Sequence, residues 1–257
     1  MNVVVTVDFA NGDAIAIDYT KPGSNPITNL YGEEVATFAD QSVTNNIIAE
    51  LPTGLIGHWK LNGDAEDSSG NNYDLTNTNG TYTTNRDSQS NKAIQLQTNA
   101  YIERDPFTEA QLQEFTACFW FKANALATND IFLGYLLHTS YANGWVLYYD
   151  ATAGKLKFGV MKGSGGVVVE KTFSDTTNWH FVMLSYKKTA ASDNVKFSID
   201  DDTPVTANYT GTIGYGTEKF QSGRSYTGYA NFKIDGIMLF NKQLSAAEIT
   251  SVYGYDD

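Results

Sequence analysis

A dense run of oxygen-bearing side chains, "LNGDAEDSSGNNYDL", occupies residues 61–75. Apart from Leu61, Ala65, Tyr73 and Leu75, each of its residues is Asn, Gly, Asp, Glu or Ser. A surface turn needs only about two to four residues of this kind. Asp64, Asp67, Ser69 and Asn71 could therefore gather oxygen atoms around one point. Alternatively, these side chains bond their own backbone in a solvated loop. A second acidic run, Asp200-Asp201-Asp202, precedes Thr203-Pro204 and reads as a hairpin turn. The Gly-rich "MKGSGGVVVE" at 161–170 lacks the lysine and helix of a phosphate loop and reads as a turn.

Aromatic and amide groups in polar segments offer a different chemistry. Sugars are held by aromatic faces with a few well-placed polar groups beside them. "SYANGW" brings Tyr141, Asn143 and Trp145 together, and "SGRSYTGYAN" brings Arg224, Tyr226 and Tyr229 together. These six are the candidate ligand-binding residues. Signals for catalysis are weaker. His58, His138 and His180 lie far apart, each in an apolar run, as packed histidines do. No nucleophile-elbow motif surrounds any serine. Cys118 in "FTACFWFKA" reads as a buried thiol.

Secondary-structure elements must position these groups. The chain of 257 residues is 42% apolar, enough for a packed core, and its 16 Tyr, 14 Phe, 4 Trp and 22 Gly lean toward an all-β protein. Strand-like runs recur at 55–61, 92–97, 100–103, 115–123, 131–138, 144–150, 155–161, 166–172, 179–187, 194–200 and 229–240. Polar punctuation separates them without helical crossovers, the pattern of antiparallel sheets packed as a sandwich. Near the end, Ser245 precedes Glu248 by three residues, a capping box that opens a short C-terminal helix ending at Gly254. Before Leu55 the pattern changes. Val3–Phe9 and Ile15–Tyr19 alternate around Asn11-Gly12 and read as a hairpin. Val35, Phe38, Ala39, Val43, Ile47, Ile48 and Leu51 form a helical stripe over 33–51, weakened by Thr44-Asn45-Asn46 and ended by Pro52. A boundary near residue 52 separates an N-terminal hairpin/helix arm, residues 1–51, from a domain at 54–257.

Charge and cysteine usage narrow the function classes. Seventeen Lys and Arg against 29 Asp and Glu give a net charge of −12, which repels phosphate and argues against nucleic acid as a partner. No apolar run approaches the roughly 18 residues of a membrane span, so no membrane insertion is expected. The single cysteine excludes an internal disulfide. "MNVVVTVDFANGD" lacks the basic and apolar regions of a signal peptide, so synthesis in a cytoplasm without export is expected.

The stretch "GLIGHWKLNGDAEDSSGNNYDLTNTNG" (54–80) resembles the opening of laminin-G-like jelly-roll domains of the concanavalin A-like lectin/glucanase superfamily. Those open with an apolar strand, an aromatic, "NG" and an "A-x-D-S-S-G-N" run. "NFKIDGIMLFNKQLSAAEITSVY" (231–253) resembles the matching end, a strand followed by a helix. Between them, "FTACFWFKA" and "NWHFVMLSYKK" stand in the family's order. Three positions depart from the pattern: Gly236 replaces the second Asp of "IDD", Met238 replaces an Arg, and His58-Trp59 replaces an early aromatic pair. The resemblance implies a concanavalin A-like jelly roll over about residues 54–254.

It also implies where chemistry would sit. In such domains the polar run lies near the C-terminal strand, so Asp64, Asp67, Ser69, Asn71 and Asp235 would supply oxygens to a structural calcium ion, which takes about six to eight. The competing reading of the same loop, self-bonded Asx turns, stays open. Glycanases on this fold carry a Glu-x-Asp-x-Glu pattern and its lyases a Gln-x-His; this chain has neither, so no catalytic residue is assigned and no enzyme is expected. Two functions are weighed. The first is a non-enzymatic virion surface or adhesion protein of bacteriophage, of head-decoration, fibre or receptor-binding type. It would be made in the host cytoplasm, would bind a cell-surface glycan for host attachment, and would join other virion proteins or copies of itself through residues 1–51. The second is a polysaccharide-acting hydrolase or lyase. An extracellular or cell-surface location is the alternative to the virion.

Overall fold

The computed structural model describes residues 15–19, 23, 28, 33, 38–43, 50–226 and 228–255. The chain divides into two compact units, Met1–Glu50 with Gly254–Asp256, and Leu51–Tyr253 with Asp257. In the first unit, β1 (Ile15–Tyr19) pairs antiparallel with β2 (Phe38–Val43). The expected helix over 33–51 is therefore a strand across 38–43. An isolated helix shorter than about 12 residues is marginal in water, and Thr44-Asn45-Asn46 cut the stripe below that length. Pairing with a β-branched strand satisfies the backbone instead. The expected partner strand Val3–Phe9 and its turn at Asn11-Gly12 lie outside the described residues.

The second unit is a sandwich of two antiparallel sheets. In chain order its strands are β3 (Leu55–Trp59), β4 (Thr76–Thr78), β5 (Thr81–Thr83), β6 (Ala93–Leu96), β7 (Tyr101–Arg104) and β8 (Glu114–Ala123). Then follow β9 (Ile131–Leu137), β10 (Ser140–Asp150), β11 (Lys155–Lys162), β12 (Gly165–Thr172), β13 (His180–Lys187), β14 (Val195–Ile199), β15 (Val205–Ala207), β16 (Lys219–Ser222) and β17 (Phe232–Phe240). One sheet has the order β12-β11-β10-β9-β16-β7-β4. The other has the order β15-β14-β13-β8-β17-β6-β5, with β3 added beside β17. The eleven runs expected as strands all carry one. The short strands β4, β5, β15 and β16 were not expected; β4, β5 and β15 hold only three residues each, too few for an alternation to register.

The sheets meet through large rings. Trp59 stacks on Phe220 at 4.8 Å, Phe121 meets Phe132 at 4.8 Å, Phe132 meets Phe232 at 4.7 Å, and Phe115 stacks on Trp145 at 4.9 Å. Such aromatic pairs add directional preference to the burial of their area. Cys118 is buried, and burial pushes its thiol far up, so it is inert.

The two ends of the domain close on each other as expected. Trp59, His58 and Gly57 of β3 stand opposite Ile237, Met238 and Leu239 of β17. Upstream, β17 pairs Phe232–Ile234 with β6 on that same edge. The register against β8 slips between Asp235 and Met238, and Gly236 there has φ +58. A bulge at this left-handed position favours glycine, which accounts for the departure from "IDD". After β17, helix α1 (Ala246–Tyr253) opens with the expected capping box. Glu248 Oε2 accepts from Ser245 N at 2.9 Å, and Ser245 Oγ accepts from Glu248 N at 3.3 Å. No helix among the described residues is long and apolar enough to cross a membrane.

Candidate functional site

The 61–75 run folds back on β3. Asp67 sits at its centre. Its Oδ1 accepts from the backbone N–H of His58 and of Ser69, both at 2.9 Å, and its Oδ2 accepts from Tyr73 N at 3.0 Å and Ser69 Oγ at 2.8 Å. Burial pushes this carboxyl up, but the hydrogen bonds from His58, Tyr73 and Ser69 outweigh it and hold it below the ordinary value of 3.8. Asn71 Nδ2 donates to Ile56 O at 2.9 Å, and Ser68 N donates to His58 O at 2.8 Å. Asp64 is exposed, with Oδ1 accepting from Glu66 N at 3.2 Å. The loop thus satisfies backbone groups along β3.

Asp235 is buried and paired. Its Oδ2 lies 3.0 Å from Nη1 of Arg86, whose guanidinium also covers the Trp120 ring at 4.9 Å. Among the described residues no group of three or more His, Cys, Asp or Glu could hold a metal ion. Asp64, Asp67 and Asp235 therefore do not form one carboxylate cluster. Asp67 and Ser69 close a loop, and an arginine neutralises Asp235.

The six ligand-binding candidates separate. Trp145 is 1% exposed, stacked on Phe115 inside the sandwich, so it offers no face to a ligand. "SYANGW" is not a loop but the first half of β10, bulged between Ser140 and Trp145. Gly144 marks the bulge: it has φ +90, and a Cβ there would stand 1.7 Å from Tyr135 O. Asn143 is tied on both sides, donating from Nδ2 to Glu218 Oε1 at 3.1 Å and accepting at Oδ1 from Gly163 N at 3.1 Å.

Tyr141, Arg224, Tyr226 and Tyr229 do converge. The segment joining β16 to β17 is pinned at its base, where Ala230 N donates to Gly223 O at 2.9 Å and Ile131 N donates to Arg224 O at 2.8 Å. It carries Tyr226, whose ring meets Tyr141 edge-on at 6.2 Å, and Tyr229, whose ring lies parallel to Tyr101 at 6.2 Å. Arg224 packs its guanidinium 3.6 Å from the Tyr101 ring centre, and its Nη2 is 3.2 Å from Glu103 Oε2. Tyr141 in turn leans on Tyr148 at 5.3 Å, over a small cluster of Ile131, Leu136 and Val146 on the outer face of the seven-stranded sheet.

Three residues here were not singled out from sequence. Tyr101 and Glu103 alternate outward on β7, a signal that four residues of strand make faint. Asp130, bridged to Ser225, is 3% exposed with Oδ2 accepting from Ala127 N at 2.9 Å. Burial pushes its carboxyl up to about 6, against the one backbone hydrogen bond that lowers it. Nearby, burial and then the Arg224 charge pull His138 below 6.5. His180 lies elsewhere, with Nδ1 2.9 Å from Asp200 Oδ2 and Nε2 3.3 Å from Asp175 Oδ2.

A family model described as the concanavalin A-like lectin/glucanases superfamily matches residues 96–250, more than half of the chain. No curated protein matches it. Solved structures share the fold. A botulinum neurotoxin type C structure, described as depending on two ganglioside molecules to enter cells, aligns at TM-score 0.60 and 12% identity, over 78% of this chain and 50% of that one. The binding domain of botulinum neurotoxin DC in complex with SialylT aligns at 0.61 and 13%, over 78% and 51%. The same binding domain in complex with rat synaptotagmin II aligns at 0.59 and 13%, over 78% and 51%. The chain spans about half the length of these solved chains.

Proposed function

Because the chain belongs to the concanavalin A-like lectin/glucanases superfamily, we propose that it is a non-enzymatic, lectin-like module that binds carbohydrate at the tyrosine surface of Tyr141, Tyr226, Tyr229 and Arg224. The observation that carries this reading is exposure. Tyr226 is 48% and Tyr229 37% exposed, on one short segment whose base is fixed by backbone hydrogen bonds and by Arg224 on Tyr101. Exposed rings held by a rigid scaffold, with a guanidinium and a carboxylate beside them, are what a sugar face and its hydroxyls require. The ganglioside and SialylT descriptions of the similar toxin domains support a glycan ligand, although one of those domains is also described with the protein synaptotagmin II.

Hydrolysis of a glycosidic bond uses, in most such enzymes, a pair of positioned carboxylates. The tyrosine surface offers Glu103, engaged with Lys219 and Arg224, and the buried Asp130. This supports binding without hydrolysis. The finer reading is a virion surface protein attached through residues 1–51, and it rests on the sequence. The test is a glycan array probed with the wild-type chain and with Tyr226→Ala/Tyr229→Ala. Wild type should retain one class of glycan, and the double variant should lose it with its melting temperature unchanged. An array with no retained glycan, or equal binding by both proteins, sinks the proposal. Reducing-end release from the bound glycan would overturn the non-enzymatic part.

A further inference from the structure

We infer that a second cleft, on the outer face of the eight-stranded sheet, binds a sugar carrying a carboxylate or sulfate through Lys122, Lys233 and Trp179. The inference goes beyond the tyrosine surface and does not depend on it. Strand alternation places the lysines. Phe121 and Ala123 of β8, with Phe232 and Ile234 of β17, point into the sandwich core, so Lys122 and Lys233 between them point out. They are direct cross-strand partners in the antiparallel ladder. Like charges placed opposite each other destabilise a sheet pair. Neither lysine forms an ion pair among the described residues, although the chain carries a net charge of −12.

The two lysines line a cleft of about 500 Å³ together with Thr84, Asn85, Arg86, Ser88, Thr177, Asn178 and Trp179. None of these residues is acidic. The Arg86 charge is met by Asp235, so the uncompensated charge belongs to the lysines. Trp179 immediately precedes His180, the partner of Phe121, and so stands beside Lys122 with its ring half-buried. An indole face beside two ammonium groups, rimmed by the amides and hydroxyls of Asn178 and Ser88, matches a pyranose ring bearing an anion. A bare anion would have no use for the ring. The overall negative charge does not forbid this. At physiological salt the screening length is about 8 Å, so a ligand in the cleft feels the lysines rather than distant carboxylates.

Calorimetric titration of the full-length chain with sialyllactose, a sulfated chondroitin disaccharide, lactose and sodium sulfate tests the inference. One acidic saccharide should bind at least about tenfold more tightly than lactose and than sulfate, and should weaken from about 50 to about 200 mM salt. Whichever saccharide binds assigns carboxylate or sulfate. Lys122→Gln/Lys233→Gln should lower that affinity about tenfold or more while leaving the melting temperature equal or higher, because a like-charge pair is removed. Trp179→Ala should also weaken it, and Tyr226→Ala/Tyr229→Ala should not. Equal binding of lactose or of sulfate, full affinity in the lysine variant, or loss in the tyrosine variant would each overturn the second site.

Discussion

Nη1 of Arg86 lies 3.0 Å from Oδ2 of Asp235, joining two points 149 residues apart in the chain. Both side chains are mostly buried, at 14% and 2% exposed. The pair spans the β5–β6 connection and the bulge of β17, next to the place where the sequence pointed to an ion. Removing one member of a buried pair leaves the other charge uncompensated, at a cost of about 3–5 kcal/mol. Asp235→Ala should therefore lower the urea midpoint steeply, whereas a chelator should leave the melting temperature of the wild-type chain unmoved. A chelator-induced drop of several degrees that Asp235→Ala abolishes would restore the calcium ion.

Asp130 predicts a pH dependence of the opposite sign to an ordinary surface carboxylate. Its carboxyl is raised from 3.8 to about 6 by burial. A group raised in the folded state contributes stability below its unfolded value and loses it as pH climbs through the folded one. Asp130→Asn keeps an acceptor for Ala127 N and removes the buried charge. It should stabilise the chain at pH 8 by up to about 3 kcal/mol, by the free energy of the shift, and give little gain below pH 4. Denaturant curves at the two pH values decide, and an equal gain at both would mean that the carboxylate is not buried as charge.

The two aromatic segments should respond differently to alanine. Trp145→Ala opens a void beside Phe115 and Phe220 and should cost about 3–5 kcal/mol without touching a binding surface. Tyr226→Ala should leave the fold intact and lower glycan affinity. Measuring unfolding and binding on both variants separates the roles. A folded Trp145→Ala that loses binding would return "SYANGW" to the site.

These contrasts show what the sequence could carry. The pairing of Leu55–Trp59 with Phe232–Phe240 was legible because both strands bear apolar runs and the resemblance ties the ends together. The Ser245–Glu248 box was legible because its hydrogen bonds are local. Trp145 alternates with Leu147 and Tyr149, all three in the core, so its inward face was legible in the strand pattern; its place beside Tyr141 and Asn143 drew it to the binding set instead. The Lys122–Lys233 pair could not be read, because it exists only once β8 and β17 are placed side by side. Asp67, one of the five candidate ion ligands, accepts from backbone N–H groups of its own loop and of β3, and an Asp bound by N–H groups and an Asp bound to an ion look alike in a sequence.

Residues 1–51 give the last prediction. Among the described residues, β1 and β2 pair only with each other. A two-stranded ribbon is marginal in water on its own, and open strand edges invite pairing by strand addition. The second unit, by contrast, has its own aromatic core and two complete sheets. We therefore expect the chain lacking residues 1–51 to keep a cooperative unfolding transition near that of the full chain, and to lose self-association or incorporation into a particle. Light scattering coupled to size exclusion, run on both chains, measures the first, and cosedimentation with assembled particles measures the second. A truncated chain that unfolds, beside a full-length chain that is a stable monomer, would make the arm part of the fold rather than an attachment device.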